Sequence, residues 1–180
     1  MKRLIQIFLL LTTLLMATVG IAADSSTSEW VGKNAPLFHL QDQNGQWHDL
    51  KDFKGHWLAI YFYPKDGTPG CTEEASKFRD SYPEFQKFGI AVLGVSLDDV
   101  DSHKAFSDKL GLPFPILADT DHELAAKMGV LRGFGPVSYA RRETFLIDPD
   151  GTIVYHYPDV NTGSHAEQVL TDVKRLSKKP

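Results

Sequence analysis

Two apolar runs constrain the architecture more than anything else in the chain: Leu58 to Tyr63 and Ile90 to Ser96. Both are rich in aromatic and β-branched residues, and the second is almost continuously apolar. Strands of that kind are covered on both faces, as in a sheet wrapped by helices. Between them, Pro64, Gly67, Pro69 and Gly70 spell a turn, and Glu73, Glu74, Ala75, Lys77 and Phe78 then read as a helix. Cys71, the only cysteine in 180 residues, falls where the turn becomes the helix. Unpaired N–H groups and the helix dipole favour negative charge at such a start. That is the setting in which a thiol becomes reactive.

The rest of the chain supports the same frame. Trp30 to Phe38 reads as an irregular docking segment, and Phe38 to Leu50 as a hairpin turning at Asn44-Gly45. The helix after Cys71 is expected to end near Asp80, with Pro83 starting a separate piece that runs to Phe88. Asp101 to Leu110 reads as a helix with Ala105, Phe106 and Leu110 on its inner stripe and Gly111 as its C-cap. Phe114 to Ala118 is a short strand, Glu123 to Met128 a short helix, and Leu131 to Tyr139 a loop. Thr144 to Ile147 and Thr152 to Tyr157 flank an Asp148-Pro149-Asp150-Gly151 turn. Ser164 to Leu176 is the last helix, with Ser164 as N-cap and Ala166, Val169, Leu170 and Val173 inward. Alternating strands and helices, closed by a hairpin and a helix, make an α/β sandwich with a mixed central sheet.

Residues 1–22 read as a signal peptide rather than as part of the fold. Lys2 and Arg3 are followed by an apolar core, Leu4 to Met16, and then by small residues that allow cleavage after Ala22 or Ala23. Residues 23–29 form a polar linker and 30–180 one domain. An uncleaved membrane anchor is the alternative, but the apolar stretch is short for a span, and no membrane association is expected once the leader is cut. The expected location is therefore periplasmic or secreted. The net charge of −4 becomes −6 without Lys2 and Arg3, which argues against a nucleic-acid partner. In an oxidising compartment a lone thiol cannot pair within its own chain, so it must be buried or used.

Composition alone excludes dithiol exchange, because Thr68 stands where a C-x-x-C pair would carry its first sulfur. What remains is a thiol with a hydroxyl about one helical turn away. The bland alternative is a turn threonine and a small core cysteine. The seven histidines show no metal-site spacing, so a His-assisted cysteine hydrolase is a poor fit.

The motifs go further. Pro64-x-x-x-Thr68-x-x-Cys71 resembles the active-site signature of the peroxiredoxins. The longer stretch from Tyr61 through Thr72 to Glu74, with Phe78-Arg79-Asp80, is similar to the Q-type subfamily, also called bacterioferritin comigratory protein. Gly94-Val95-Ser96, Ser102-His103-Lys104, Leu112 to Leu117 with Asp119, and Arg142-x-Thr144-Phe145 extend the likeness over residues 30–176.

The resemblance implies a thioredoxin-like fold, its mixed sheet flanked by helices and extended by the N-terminal hairpin. It also implies reduction of hydrogen peroxide and organic hydroperoxides, serving antioxidant defence and redox homeostasis without a metal or organic cofactor. Cys71 would be the peroxidatic thiolate, Thr68 would hydrogen-bond the reacting oxygens, and Pro64 would shield the sulfur. Arg142 would supply a permanent positive charge. Its neighbour Arg141 points to the other side of the strand and reads as a surface ion-pair residue. Glu74 matches the family pattern, but a first-turn glutamate stabilising its helix accounts for it equally well. His103 and His165 are expected in solvated or capping roles.

One departure matters. Many Q-type members carry a resolving cysteine five residues after the first, and Ser76 stands there. The implied cycle is a one-cysteine mechanism that uses an external reductant. That reductant is a small thiol, a thioredoxin-like or glutaredoxin-like protein, or a second copy's Cys71. The relatives imply a monomer or weak homodimer. A peroxide sensor or stoichiometric scavenger is the alternative on the same fold, and a thiol-independent binding role a third.

Overall fold

The computed structural model describes residues 28–177. The leader expected over residues 1–22, and most of the linker, lie outside that range. The described chain begins as an irregular segment in which Ala35 and Phe38 are buried. It is tied to the far strand by Gly32 N–H donating to Ile153 O and Ile153 N–H donating to Lys33 O, both at 2.8 Å.

The expected α/β architecture is present. β1 (His39–Asp42) and β2 (Trp47–Asp49) form the first hairpin, followed by a 3-10 turn over Leu50–Phe53. Next come β3 (Trp57–Phe62), α1 (Pro69–Lys87), β4 (Ile90–Ser96), α2 (Val100–Leu110), β5 (Ile116–Ala118) and α3 (Glu123–Lys127). The chain closes with β6 (Leu131–Arg132), β7 (Tyr139–Ala140), β8 (Glu143–Ile147), β9 (Ile153–Tyr157) and α4 (His165–Leu176). Seven strands make one mixed sheet in the order β2-β1-β5-β4-β3-β8-β9. Its centre, β3-β4-β5, is parallel, and both sides are completed by antiparallel strands. The hairpin expected as an N-terminal extension is the sheet's outer edge.

Alternation along β3 builds two cores. Ala59, Tyr61 and Tyr63 face Phe78 and Phe85 of α1, Phe106 of α2 and Val169 and Val173 of α4. Leu58, Ile60 and Phe62 face Leu124 and Ala125 of α3, Phe38 and Phe145. The central strands therefore bury both of their faces, which is why they carry no polar alternation. Gly94 of β4 is required by close approach, since a Cβ there would stand 2.7 Å from the Tyr61 hydroxyl and 2.8 Å from Ile116 Cγ2.

Several expectations are corrected. α1 does not stop near Asp80; it runs unbroken to Lys87 with Pro83 inside it. Pro83 is exposed, so the carbonyl it leaves without a helical donor is on the solvent side, and Phe78 and Phe85 anchor the helix on either side of it. The segment expected as a loop from Leu131 contains β6 and β7, which pair antiparallel. Two-residue strands are too short to show a period in sequence. In α2, Ala105 is exposed, and the inner face is His103, Phe106 and Ser107. Ser164 holds the N-cap position of α4 without a side-chain capping bond. Asn161 does that work instead, its carbonyl accepting from Ser164 N–H at 3.1 Å and His165 N–H at 2.9 Å.

Candidate active site

β3 leads into the turn Pro64–Thr68, and the turn delivers Cys71 as the third residue of α1. The first helical hydrogen bond at this end runs from Thr72 N–H to Thr68 O at 2.9 Å. Gly70 and Cys71 N–H therefore precede the helical ladder, as the first donors of any helix do. Cys71 is 1% exposed.

Arg142, in the link between β7 and β8, reaches across 71 positions of sequence. Its Nη2 donates to Cys71 Sγ at 3.2 Å, and its Nη1 donates to Glu74 Oε2. Gly70 makes room for it, because a Cβ there would lie 3.3 Å from Nη2. Burial works against the guanidinium's charge, but Glu74 and Cys71 outweigh it and hold Arg142 above its ordinary value. Arg141 turns the other way and pairs through Nε with Glu143 Oε1 at 3.1 Å.

Glu74 was open to a first-turn reading, and the structure corrects it. It lies one helical turn after Cys71 on the same face, and its side chain is 0% exposed. Oε1 has no hydrogen-bond partner among the described residues. Burial pushes its carboxyl up to about 7, against the pull of Arg142's charge and hydrogen bond. The i, i+3 spacing was the available signal, but its meaning depends on an arginine that arrives from another strand.

Thr68 occupies the N-cap position of α1, where its side chain makes no capping bond. Its hydroxyl donates to Lys65 O at 3.0 Å, closing the turn instead of pointing its proton toward Cys71. Pro64 is half-buried at the turn's other end. The structure thus joins Cys71, Arg142 and Glu74 by direct contact and places Pro64 and Thr68 on the turn that introduces them.

Both helical histidines expected to be solvated or capping are buried, at 0% exposure. His165 Nε2 meets Thr144 Oγ1 at 2.8 Å. Burial drives its pKa down to about 4, and the nearby Arg142 charge works in the same direction. His103 meets Asp66 in the middle of the turn, Nδ1 to Oδ2 at 2.8 Å. Asp66, Asp98 and His103 are the one group with metal-ligand spacing among the described residues. Both Asp66 carboxylate oxygens and Asp98 Oδ2 are already engaged. Asp66 Oδ1 accepts from Tyr63 at 2.8 Å, Asp66 Oδ2 also accepts from Ser102 at 2.8 Å, and Asp98 Oδ2 accepts from Ser96 at 2.7 Å and from Asp66 N–H at 2.8 Å. It is a hydrogen-bond network.

Comparison with known proteins identifies the family. The AhpC/TSA family model matches residues 31–156. The chain is 42% identical over 144 residues to a putative peroxiredoxin Bcp of Coxiella burnetii, covering 78% of this chain and 95% of that protein. It is 38% identical over 153 residues to peroxiredoxin Bcp of Bacillus subtilis, covering 83% and 98%. Among solved structures, the bacterioferritin comigratory protein of Xanthomonas campestris superposes with a TM-score of 0.74 at 40% identity, covering 78% of this chain and 92% of that one. A Xylella fastidiosa PrxQ mutant gives 0.77 at 34%, covering 82% and 97%. With a thioredoxin-like sheet, a lone cysteine at a helix start and an arginine on its sulfur, the chain belongs to the AhpC/TSA family of peroxiredoxins, the thiol-dependent peroxidases.

Proposed function

We propose that Cys71 is the peroxidatic residue of a one-cysteine cycle and that Arg142, Thr68 and Pro64 serve it. The observation that carries this is the 3.2 Å contact from Arg142 Nη2 to Cys71 Sγ in a chain with no second sulfur nucleophile. The Cys71 thiolate attacks the terminal oxygen of a hydroperoxide. An S–O bond forms as the O–O bond breaks, sulfur is oxidised to the sulfenic acid, and the other oxygen leaves as water or alcohol after taking a proton. Arg142 holds positive charge where negative charge passes from sulfur to oxygen, and it remains ionised throughout. Thr68 serves the reacting oxygens by rotating its hydroxyl away from Lys65, a freedom that hydroxyl hydrogens have. Pro64 keeps water off the sulfur from the other end of the turn.

An external thiol then condenses with the sulfenic acid, expelling water and forming a mixed disulfide. A second thiol restores Cys71 by exchange. The donor is a small thiol or a thioredoxin-like or glutaredoxin-like protein, and the enzyme is a monomer or weak homodimer. The positive, apolar and small-residue succession at Lys2, Leu4 to Met16 and Ala22-Ala23 supports export to a periplasm or beyond. Rapid mixing with hydrogen peroxide should convert Cys71 to a sulfenic acid that dimedone traps, and Cys71→Ser should consume no peroxide with any thiol donor. Residual turnover in that variant would sink the assignment. Oxidation without multiple turnover, whatever the donor, would favour the sensor or scavenger.

A further inference from the structure

We infer that Asp66 and His103 are positioning residues for this site, acting through the turn that carries Pro64 and Thr68; this rests on the peroxidase reading above. Asp66 is the middle residue of the five-residue turn, two positions from Pro64 and two from Thr68. Among the described residues neither Pro64 nor Thr68 is tied to the body of the protein by a side-chain hydrogen bond, since the Thr68 hydroxyl bonds within the turn. Asp66 is so tied, on every side. Its carboxylate accepts from Tyr63 of the preceding strand's end and from Ser102 and His103 of α2, all at 2.8 Å, and its N–H donates to Asp98.

The position of the turn is therefore set by α2, a helix that makes no contact with Cys71 in the hydrogen-bond network. His103 is 0% exposed and Asp66 is nearly so, at 7% of its side chain. Burial raises the Asp66 carboxyl, but the hydrogen bond and charge of His103, with Tyr63 and Ser102, outweigh it and leave it below the usual carboxylate range. A buried carboxylate held by three donors is rigid, and losing one donor strands the remaining charge. Gly67, at φ 72°, turns the chain tightly between Asp66 and Thr68, so the two lie within one short turn.

Two reactions of the same sulfur separate positioning from general damage. Alkylation by iodoacetamide needs a thiolate and access, whereas peroxide reduction also needs Pro64 and Thr68 correctly placed. Replacing His103 by leucine removes the donor to Asp66, while asparagine keeps an amide N–H close to where Nδ1 stands. His103→Leu and Asp66→Asn should slow peroxide oxidation of Cys71 by about tenfold to a hundredfold, the scale of a misplacement near 1 Å. Both should leave the iodoacetamide rate unchanged, and His103→Asn should restore the peroxide rate.

A His103→Leu variant as fast with peroxide as the wild type would overturn the inference. So would an equal loss in both rates, which would mean general loss of the fold at α1. If His103→Leu does not fold, Ser102→Ala, which removes one donor from the surface side, is judged by the same ratio of rates. A wild-type Cys71 inert to peroxide would overturn the peroxidase reading and this inference with it. A reactive wild type with matching variants would overturn this inference alone.

Discussion

Two carboxylates serve this end of α1, Glu74 inside the helix and Asp66 in the turn before it, and they are satisfied to different degrees. Asp66 accepts from Tyr63, Ser102 and His103, and its charge sits in a full set of donors. Among the described residues Glu74 has one partner, Arg142, and its Oε1 has none. Burial acts on both, yet Asp66 ends below the usual carboxylate range and Glu74 rises to about 7. Two things differ: Glu74 is the more deeply buried, and Asp66 has more donors. A saturated carboxylate is a fixture of the scaffold, while a half-satisfied one stays close to its protonation point and can respond to the charge beside it.

The strongest test of that contrast is Arg142→Leu. It removes Glu74's partner and the charge on Cys71 together. Peroxide oxidation of Cys71 should slow by about a hundredfold to a thousandfold, the effect of losing one well-aimed charged donor. Rapid mixing would show it, and a loss under tenfold would mean that the arginine mainly packs.

A second test uses the pH dependence of stability. Between about 4.5 and 7 the folded chain keeps a proton on Glu74 that the unfolded chain has released, so this group's contribution to stability is lost as pH rises. His165 has the opposite sign. Its folded pKa is depressed from 6.5 to about 4, so its contribution is present above 6.5 and lost as pH falls toward 4. Each amounts to roughly 3 kcal/mol, and the two nearly cancel. Denaturant melts of the wild type should therefore be almost flat from pH 4.5 to 6.5. Glu74→Gln should expose a rise in stability with pH, and His165→Phe a fall. Asp66 should contribute no slope there, because it is already ionised. A Glu74→Gln profile parallel to the wild type would remove the contrast between the carboxylates.

The smallest effect concerns Tyr61, whose buried hydroxyl also lacks a partner among the described residues. Tyr61→Phe deletes an orphan group and keeps the ring stacked on Phe78 at 4.6 Å. Thermal unfolding should show a variant at least as stable as the wild type, by up to about 1 kcal/mol. A clear loss would place a hidden water or donor at that hydroxyl.

What the sequence could reveal follows from distance along the chain. The β3 and β4 runs, the helix between them and the turn at Asn44-Gly45 are local patterns, and all are present. The continuation of α1 past Pro83 was not legible, because whether a proline interrupts a helix depends on which side faces water. β6 and β7 were too short to show a period. Within the site, Cys71, Thr68 and Pro64 share one stretch of sequence and were singled out together. Glu74 was noticed without its role, because burial beside Arg142 is a tertiary fact. The Asp66–His103 pair spans 37 positions, and nothing in either neighbourhood announces it.

Gly94 gives the sheet beside the site a further property. The Tyr61 hydroxyl and Ile116 occupy the space in which a side chain at position 94 would begin. Positions 61, 94 and 116 lie on three neighbouring parallel strands and share one fixed volume. A side chain at position 94 therefore fits only if the residue at 61 or at 116 is cut back, so the three positions must be redesigned together. The packing of the strand that feeds the reactive turn thus depends on a glycine 23 residues downstream of Cys71.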